Sequence, residues 1–186
     1  MEFLDLKTQQ KRIRKPLEKR INKILDHGAY IMGPEVFELE EKLADYCEVK
    51  HAISCSSGTD ALLIPLMAWG IGQGDAVFTT PFTYVATAEV ISILGATPVF
   101  VDVYESTYNI DCEKLEIEIN KVIEQGKLTP KAIIPVDLFG LPARYRLLDK
   151  IAKKYNLKVI EDAAQSFGGS IKDKKVGVFG DVAATS

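Results

Sequence analysis

From about residue 50 onward, short apolar runs alternate with segments of helical spacing, and this alternation limits the possible folds more than any other feature of the sequence. Residues 52–55, 76–80, 98–103, 132–136, 158–160 and 181–186 have strand character, with β-branched or small apolar side chains at consecutive positions. Between them, residues 60–69, 85–94, 112–124 and 145–155 suggest helices: 60–69 is apolar nearly throughout, as in a buried helix, and Leu115, Ile119 and Val122-Ile123 fall at helical spacing. Strands that are apolar at every position are buried on both sides. Strand–helix–strand repetition then places helices over both faces of a mostly parallel sheet, an α/β fold. The first fifty residues differ: residues 16–25 and 35–46 suggest two amphipathic helices around the turn Met32-Gly33-Pro34. There Pro34 suits a first helical turn because its missing N–H would have no intrahelical partner. The expected organisation is a helical segment, 1–49, ahead of an α/β unit, 50–186.

Composition and spacing exclude several functions. Lys and Arg number 23 against 26 Asp and Glu, a formal charge of −3, which argues against a nucleic-acid binder. The basic opening stretch (Lys7, Lys11, Arg12, Arg14, Lys15, Lys19, Arg20) can be a solvated helix face or an anion patch. Cys47, Cys55 and Cys112 form no CxxC, and His27 and His51 stand far apart, so neither a disulfide framework nor a metal site is expected, and a reducing cytoplasm fits. The opening residues contain no apolar core of a signal peptide, and the longest apolar run, 61–69, is too short to span a bilayer. Gly70-Ile71-Gly72-Gln73-Gly74 does not satisfy GxGxxG and follows a helix, and no GxxxxGK[ST] occurs; a dinucleotide or P-loop site is not expected.

In a parallel α/β sheet, ligands collect at the carboxyl ends of the strands. Four features fall there. Ser54-Cys55-Ser56-Ser57-Gly58-Thr59-Asp60 closes a strand and opens a helix: its hydroxyls can cap the helix, or its N–H groups and hydroxyls can receive a phosphate. Pro81-Phe82-Thr83-Tyr84 offers an aromatic that either packs in the core or stacks on a planar ring. Glu161-Asp162-Ala163-Ala164-Gln165-Ser166 puts two acids after a buried strand, a costly placement unless they are partnered or solvated; Asp162 is either a helix cap or a ligand group. Ser186 ends a further strand.

Together these residues resemble the DegT/DnrJ/EryC1/StrS family of nucleotide-sugar aminotransferases, which use pyridoxal 5′-phosphate (PLP) on the fold-type-I scaffold. The likeness runs through Phe3-Leu4-Asp5-Leu6, Gly33-Pro34-Glu35-Val36, Ser57-Gly58-Thr59-Asp60-Ala61-Leu62, Phe82-Thr83-Tyr84-Val85-Ala86-Thr87 and Glu161-Asp162-Ala163-Ala164-Gln165-Ser166. It implies a large PLP-binding domain. Ser57, Gly58, Thr59 and Ser186 would hold the cofactor phosphate, Tyr84 rather than Phe82 would lie over the ring, and Gln165 would reach its 3′ oxygen. Asp162 is the implied catalytic carboxylate, paired with the protonated ring nitrogen and ionised when cofactor is bound. Within the family the likeness is to enzymes acting on UDP-linked 2-acetamido-3-keto-glucuronic acid, in O-antigen and related lipopolysaccharide or surface-polysaccharide synthesis. It implies an amino-acid donor such as glutamate, and a homodimer with interfacial active sites.

In the family the Schiff-base lysine follows the counterpart of Ser186 by a few residues, and no internal lysine occupies a matching motif. Lys131 and Lys158 are expected to open strands at the far end of the sheet, and Lys174 and Lys175 to lie in a polar loop. The expectation is a sheet incomplete at its carboxyl-terminal side, and a 186-residue chain without turnover on its own. Two relatives of this chemistry compete: a PLP-dependent sugar dehydratase, with histidine in place of that lysine, and a non-catalytic scaffold, which the intact Asp162, Gln165 and Ser57-Gly58-Thr59 argue against.

Overall fold

The structure, a computed structural model, describes residues 4–186; Phe3 of the opening motif lies outside them. Five parallel strands form one sheet in the order β2-β1-β3-β4-β7. They are β1 (Asp75–Thr79), β2 (Thr97–Phe100), β3 (Thr129–Ile134), β4 (Lys158–Asp162) and β7 (Val182–Ala184). Strands β5 (Ser170–Ile171) and β6 (Lys174–Lys175) make a separate antiparallel ribbon. Six α-helices accompany them among the described residues: α1 (Leu6–His27), α2 (Pro34–Cys47), α3 (Gly58–Ala68), α4 (Ala86–Ile93), α5 (Cys112–Gln125) and α6 (Tyr145–Tyr155).

The period-two geometry of a strand divides the apolar residues between two layers. Ala76, Phe78, Ile133 and Val159 join Leu115, Ile119 and Val122 of α5 and Leu148 and Ile151 of α6. Val77, Ala132, Ile134 and Ile160 point the other way, to Leu62 and Leu66 of α3 and Val90 and Ile91 of α4. The sheet is therefore sandwiched, as the unbroken apolar strands require. Local chemistry sets the helix ends: Asp111 accepts from the N–H groups of Glu113 and Lys114 to start α5, and Gly126, with φ +62°, ends it.

Four expectations need correction. Residues 52–55 are not a strand: they run without a ladder partner among the described residues, and extended backbone becomes sheet only where a neighbour takes its hydrogen bonds. Helix α1 starts ten residues before Pro16, because Asp5 accepts from Thr8 N–H (3.0 Å) and caps it there; Pro16 is carried inside the helix. Lys131 is the third residue of β3 and does not open it. Lys174 and Lys175 form β6 instead of a loop, with the Lys175 ammonium 3.5 Å from the centre of the Tyr46 ring.

The layer assignment predicts opposite outcomes for two residues of one helix. Leu115→Ala empties a fully buried position on α5 and should cost about 2–5 kcal/mol, whereas Ile117→Ala, on the exposed face, should cost less than about 1 kcal/mol. Urea unfolding of both variants checks this, and equal losses would contradict the packing described.

A candidate cofactor cleft at the carboxyl ends of the strands

Because all five strands of the main sheet run the same way, their carboxyl ends meet on one side, and a cleft of about 160 Å³ opens there. Gly58, Thr59, Tyr84, Asp162, Gln165 and Ser186 line it, together with Thr83, Thr87 and Val136. These residues come from α3, the turn before α4 and its first turn, the segment after β3, the end of β4 and the turn beyond it, and the residues after β7. The topology, and not proximity in sequence, assembles them.

Strand alternation decides what each acid of the Glu161-Asp162 pair can do. Ile160 faces α3 and α4, so Glu161 turns to the opposite layer and Asp162 turns back toward α4. Glu161 is fully buried, accepts the N–H groups of Gly177 (2.9 Å) and Phe179 (3.0 Å), and is absent from the cleft lining. It pins the 177–179 segment and does not flank a bound ring. Asp162 is only 5% exposed: its Oδ2 accepts from the Thr87 hydroxyl at 2.9 Å, and its Oδ1 from Ala164 N–H at 3.3 Å. No Lys, Arg or His pairs with it among the described residues. Burial pushes its carboxyl above the usual range, and the bonds from Thr87 and Ala164 oppose that shift only in part.

At the mouth of α3, the first bond of the helix is that from Ala61 N–H to Ser57 O (3.0 Å), and Asp60 N–H donates to the Ser57 hydroxyl (3.1 Å). The N–H groups of Gly58 and Thr59 precede that first bond at the positive end of the helix. Ser57 itself is not in the lining; its hydroxyl caps the helix and donates to Asp60 Oδ2 at 3.0 Å. Gly58 is there for space: a Cβ at this position would stand 2.7 Å from Ser186 Cβ. Tyr84 is 73% exposed on the opposite wall, while Phe82 packs against Tyr108 and Phe139 outside the cleft. Gln165 accepts the Phe139 N–H through Oε1 (2.6 Å), which leaves its amide nitrogen as the donor on that side.

Two further residues build the site, and neither stands out in the sequence as a site residue. Asp137, fully buried after β3, accepts from Ala143 N–H, the Tyr145 hydroxyl and the Ser166 hydroxyl, all at 2.8 Å; it ties the turn carrying Gln165 to α6. Its carboxyl is raised by burial. An acid directly after an apolar strand is the available signal, the same one that marks Asp162. Thr87 sits within the Phe82–Thr87 motif, but only the fold reveals its hydrogen bond to Asp162.

The family model for the DegT/DnrJ/EryC1/StrS aminotransferases matches residues 11–186. The chain belongs to that family. It is 52% identical over its whole length to the UDP-2-acetamido-2-deoxy-3-oxo-D-glucuronate aminotransferase of Pseudomonas aeruginosa, of which it covers 50%. A crystal structure of a DegT DnrJ EryC1 StrS aminotransferase from Brucella abortus superposes with a TM-score of 0.98 at 53% identity, over all of this chain and 50% of that one. The PLP form of Spr1654 from Streptococcus pneumoniae superposes with a TM-score of 0.77 at 28% identity, over 91% of this chain and 46% of that one. The chain thus spans about half the length of these relatives. Among the described residues no helix is long and apolar enough to cross a membrane, and no cluster of metal-ligating side chains occurs.

The residues of the cleft fit PLP on their own chemistry. A buried carboxylate without a cationic partner among the described residues matches a ring N–H⁺, free N–H groups at a helix start match a phosphate, and Gly58 leaves the room that a side chain would fill. Without a cation, the charge on Asp162 is a liability. Its folded-state pKa lies above the ordinary value of 3.8, so the folded chain holds the proton more tightly and loses stability as pH rises through that window. Asp162→Asn should therefore gain stability relative to the unsubstituted chain as pH rises above the ordinary carboxylate value of 3.8, measured as the pH dependence of the urea midpoint. A difference that does not vary with pH would contradict the buried, unpaired state.

Proposed function

We propose that this chain is the PLP-binding part of an aminotransferase that moves an amino group from an amino-acid donor such as glutamate to the keto group of a nucleotide-linked sugar, with UDP-2-acetamido-3-keto-glucuronate as the favoured substrate. The observation that carries the reading is the meeting, in one cleft, of Asp162 with the start of α3, joined to 52% identity with an enzyme named for that sugar. Residues 50–186 make the cofactor-binding unit and residues 1–49 the helical segment ahead of it.

When bound, PLP supplies an electron sink for the carbanion left by proton removal at the substrate carbon. The chain's residues do the rest. Asp162 holds the proton on the ring nitrogen, and the cation it meets lowers its carboxyl pKa, reversing the effect of burial. The N–H groups of Gly58 and Thr59, the Thr59 hydroxyl and the Ser186 hydroxyl receive the phosphate. Gln165 donates to the 3′ oxygen, and Tyr84 covers a ring face. Ser57 contributes by capping α3, which keeps those N–H groups aimed outward. Cytoplasmic location, a homodimer with sites at the interface and a role in O-antigen or other surface-polysaccharide synthesis complete the proposal.

No lysine lines the cleft among the described residues. The expected behaviour of the 186-residue chain is reversible PLP binding without turnover. Borohydride reduction of the PLP-saturated chain, followed by peptide mapping, should leave no phosphopyridoxyl group; an adduct on one internal lysine would refute this. Asp162→Asn should weaken PLP binding by about tenfold or more in a fluorescence titration, the scale expected when a buried charge-assisted hydrogen bond is removed. Equal affinity would remove the basis of the reading. Incubation of an enzyme carrying this chain with 3-keto and 4-keto sugar nucleotides, read by amine formation, tests the substrate.

A further inference from the structure

A buried threonine in a helix ordinarily satisfies its hydroxyl on a carbonyl of the preceding turn. Thr87, on the first turn of α4 and 1% exposed, does otherwise: its Oγ1 lies 2.9 Å from Asp162 Oδ2 and 3.0 Å from Thr83 Oγ1. A hydroxyl has one proton to give, and an ionised carboxylate can only accept. With Asp162 ionised, Thr87 must donate to it and must accept from Thr83. The direction of the relay is set: Thr83 to Thr87 to Asp162. Thr83 adjoins Tyr84 on the cleft wall, so the relay connects the aromatic side of the cleft to the carboxylate.

We propose that Thr87 is a positioning residue for the cofactor: its hydroxyl engages Oδ2 of Asp162 and so presents Oδ1 to the ring N–H⁺, while Thr83 fixes the direction in which Thr87 donates. Oδ1 is the open oxygen, since its one hydrogen bond is the long one from Ala164 N–H at 3.3 Å. The inference rests on the reading of the cleft as a PLP site. The same hydrogen bond from Thr87 offsets part of the effect of burial on Asp162 and keeps the carboxylate ionised over a wider pH range. The charge of Asp162 in turn raises the pKa of Asp137, after β3, and of Tyr145, on α6, and substitution at Thr87 leaves both in place.

The test uses PLP labelled with 15N in its ring, bound to the full 186-residue chain. Binding affinity is followed against pH, and the 15N shift reports protonation of the ring nitrogen. Thr87→Val keeps the side-chain volume and removes the proton. It should weaken PLP binding about tenfold, move the acid limb of the affinity profile to higher pH and reduce ring-nitrogen protonation. Thr87→Ser should restore all three to within about twofold. Thr83→Val, at a half-buried position, should shift the same readouts in the same direction by less, and it carries the test if Thr87→Val does not fold. Unchanged 15N shift and acid limb in Thr87→Val, or in Thr83→Val where only that variant folds, would overturn the proposal, since a purely structural role would alter thermal stability alone. Asp162→Asn separates the two levels: if it binds PLP as tightly as the unsubstituted chain, the cofactor reading fails and this proposal with it.

Discussion

A carboxylate held almost out of water, with no cationic partner among the described residues, is the constraint around which the cleft is arranged. Left alone, Asp162 destabilises the folded chain once ionised, and the two hydrogen bonds it receives only moderate that cost. Unlike Asp137 and Glu161, whose oxygens are taken up by backbone and hydroxyl donors of the fold, Asp162 lines the cleft, and the proposed function gives it a positively charged ligand to meet there. The surrounding elements share that logic. Helix α3 turns its unpaired N–H groups toward the same space, which suits a ligand positive at one end and anionic at the other.

Strand β4 shows how finely this depends on register. Its last two residues are both acids, and a shift of one position would exchange their layers. As built, Glu161 is consumed by the backbone of residues 177–179, and Asp162 is delivered to α4 and the cleft. Parallel pairing with β7, Ile160 to Val182 and Asp162 to Ala184, fixes this register and brings Ser186 beside Gly58. The same pairings that bury the core thus also set the distance between the two ends of the site.

Much of this is legible in the sequence because it rests on local chemistry. Unbroken apolar runs mark strands covered on both faces, and α6 occupies the very residues, Tyr145–Tyr155, that its spacing indicates. Gly58 and Thr59 carry a signal at a helix start and Tyr84, Asp162, Gln165 and Ser186 one at or after a strand end, and the cleft gathers all six. Features that depend on partners are not legible. Residues 52–55 have strand composition but lack a strand to pair with among the described residues. Ser57 is by sequence equally fit for capping and for binding, and only the position of Asp60 N–H shows that it caps. The role of Asp137 and the turning away of Glu161 need the third dimension, because which face a side chain takes is set by the neighbouring strands.

The approach of Gly58 to Ser186 has a consequence for how rigid the cleft can be. A wall made of side chains can widen by a change of rotamer, with little strain. Here one side of the floor is bare main chain, and a single added methyl group would overlap its neighbour. The gap at that point is therefore set by the α3 backbone on one side and the Cβ of Ser186, two residues past β7, on the other. Positions 58 and 186 behave as one steric unit, in which bulk gained at 58 must be surrendered at 186.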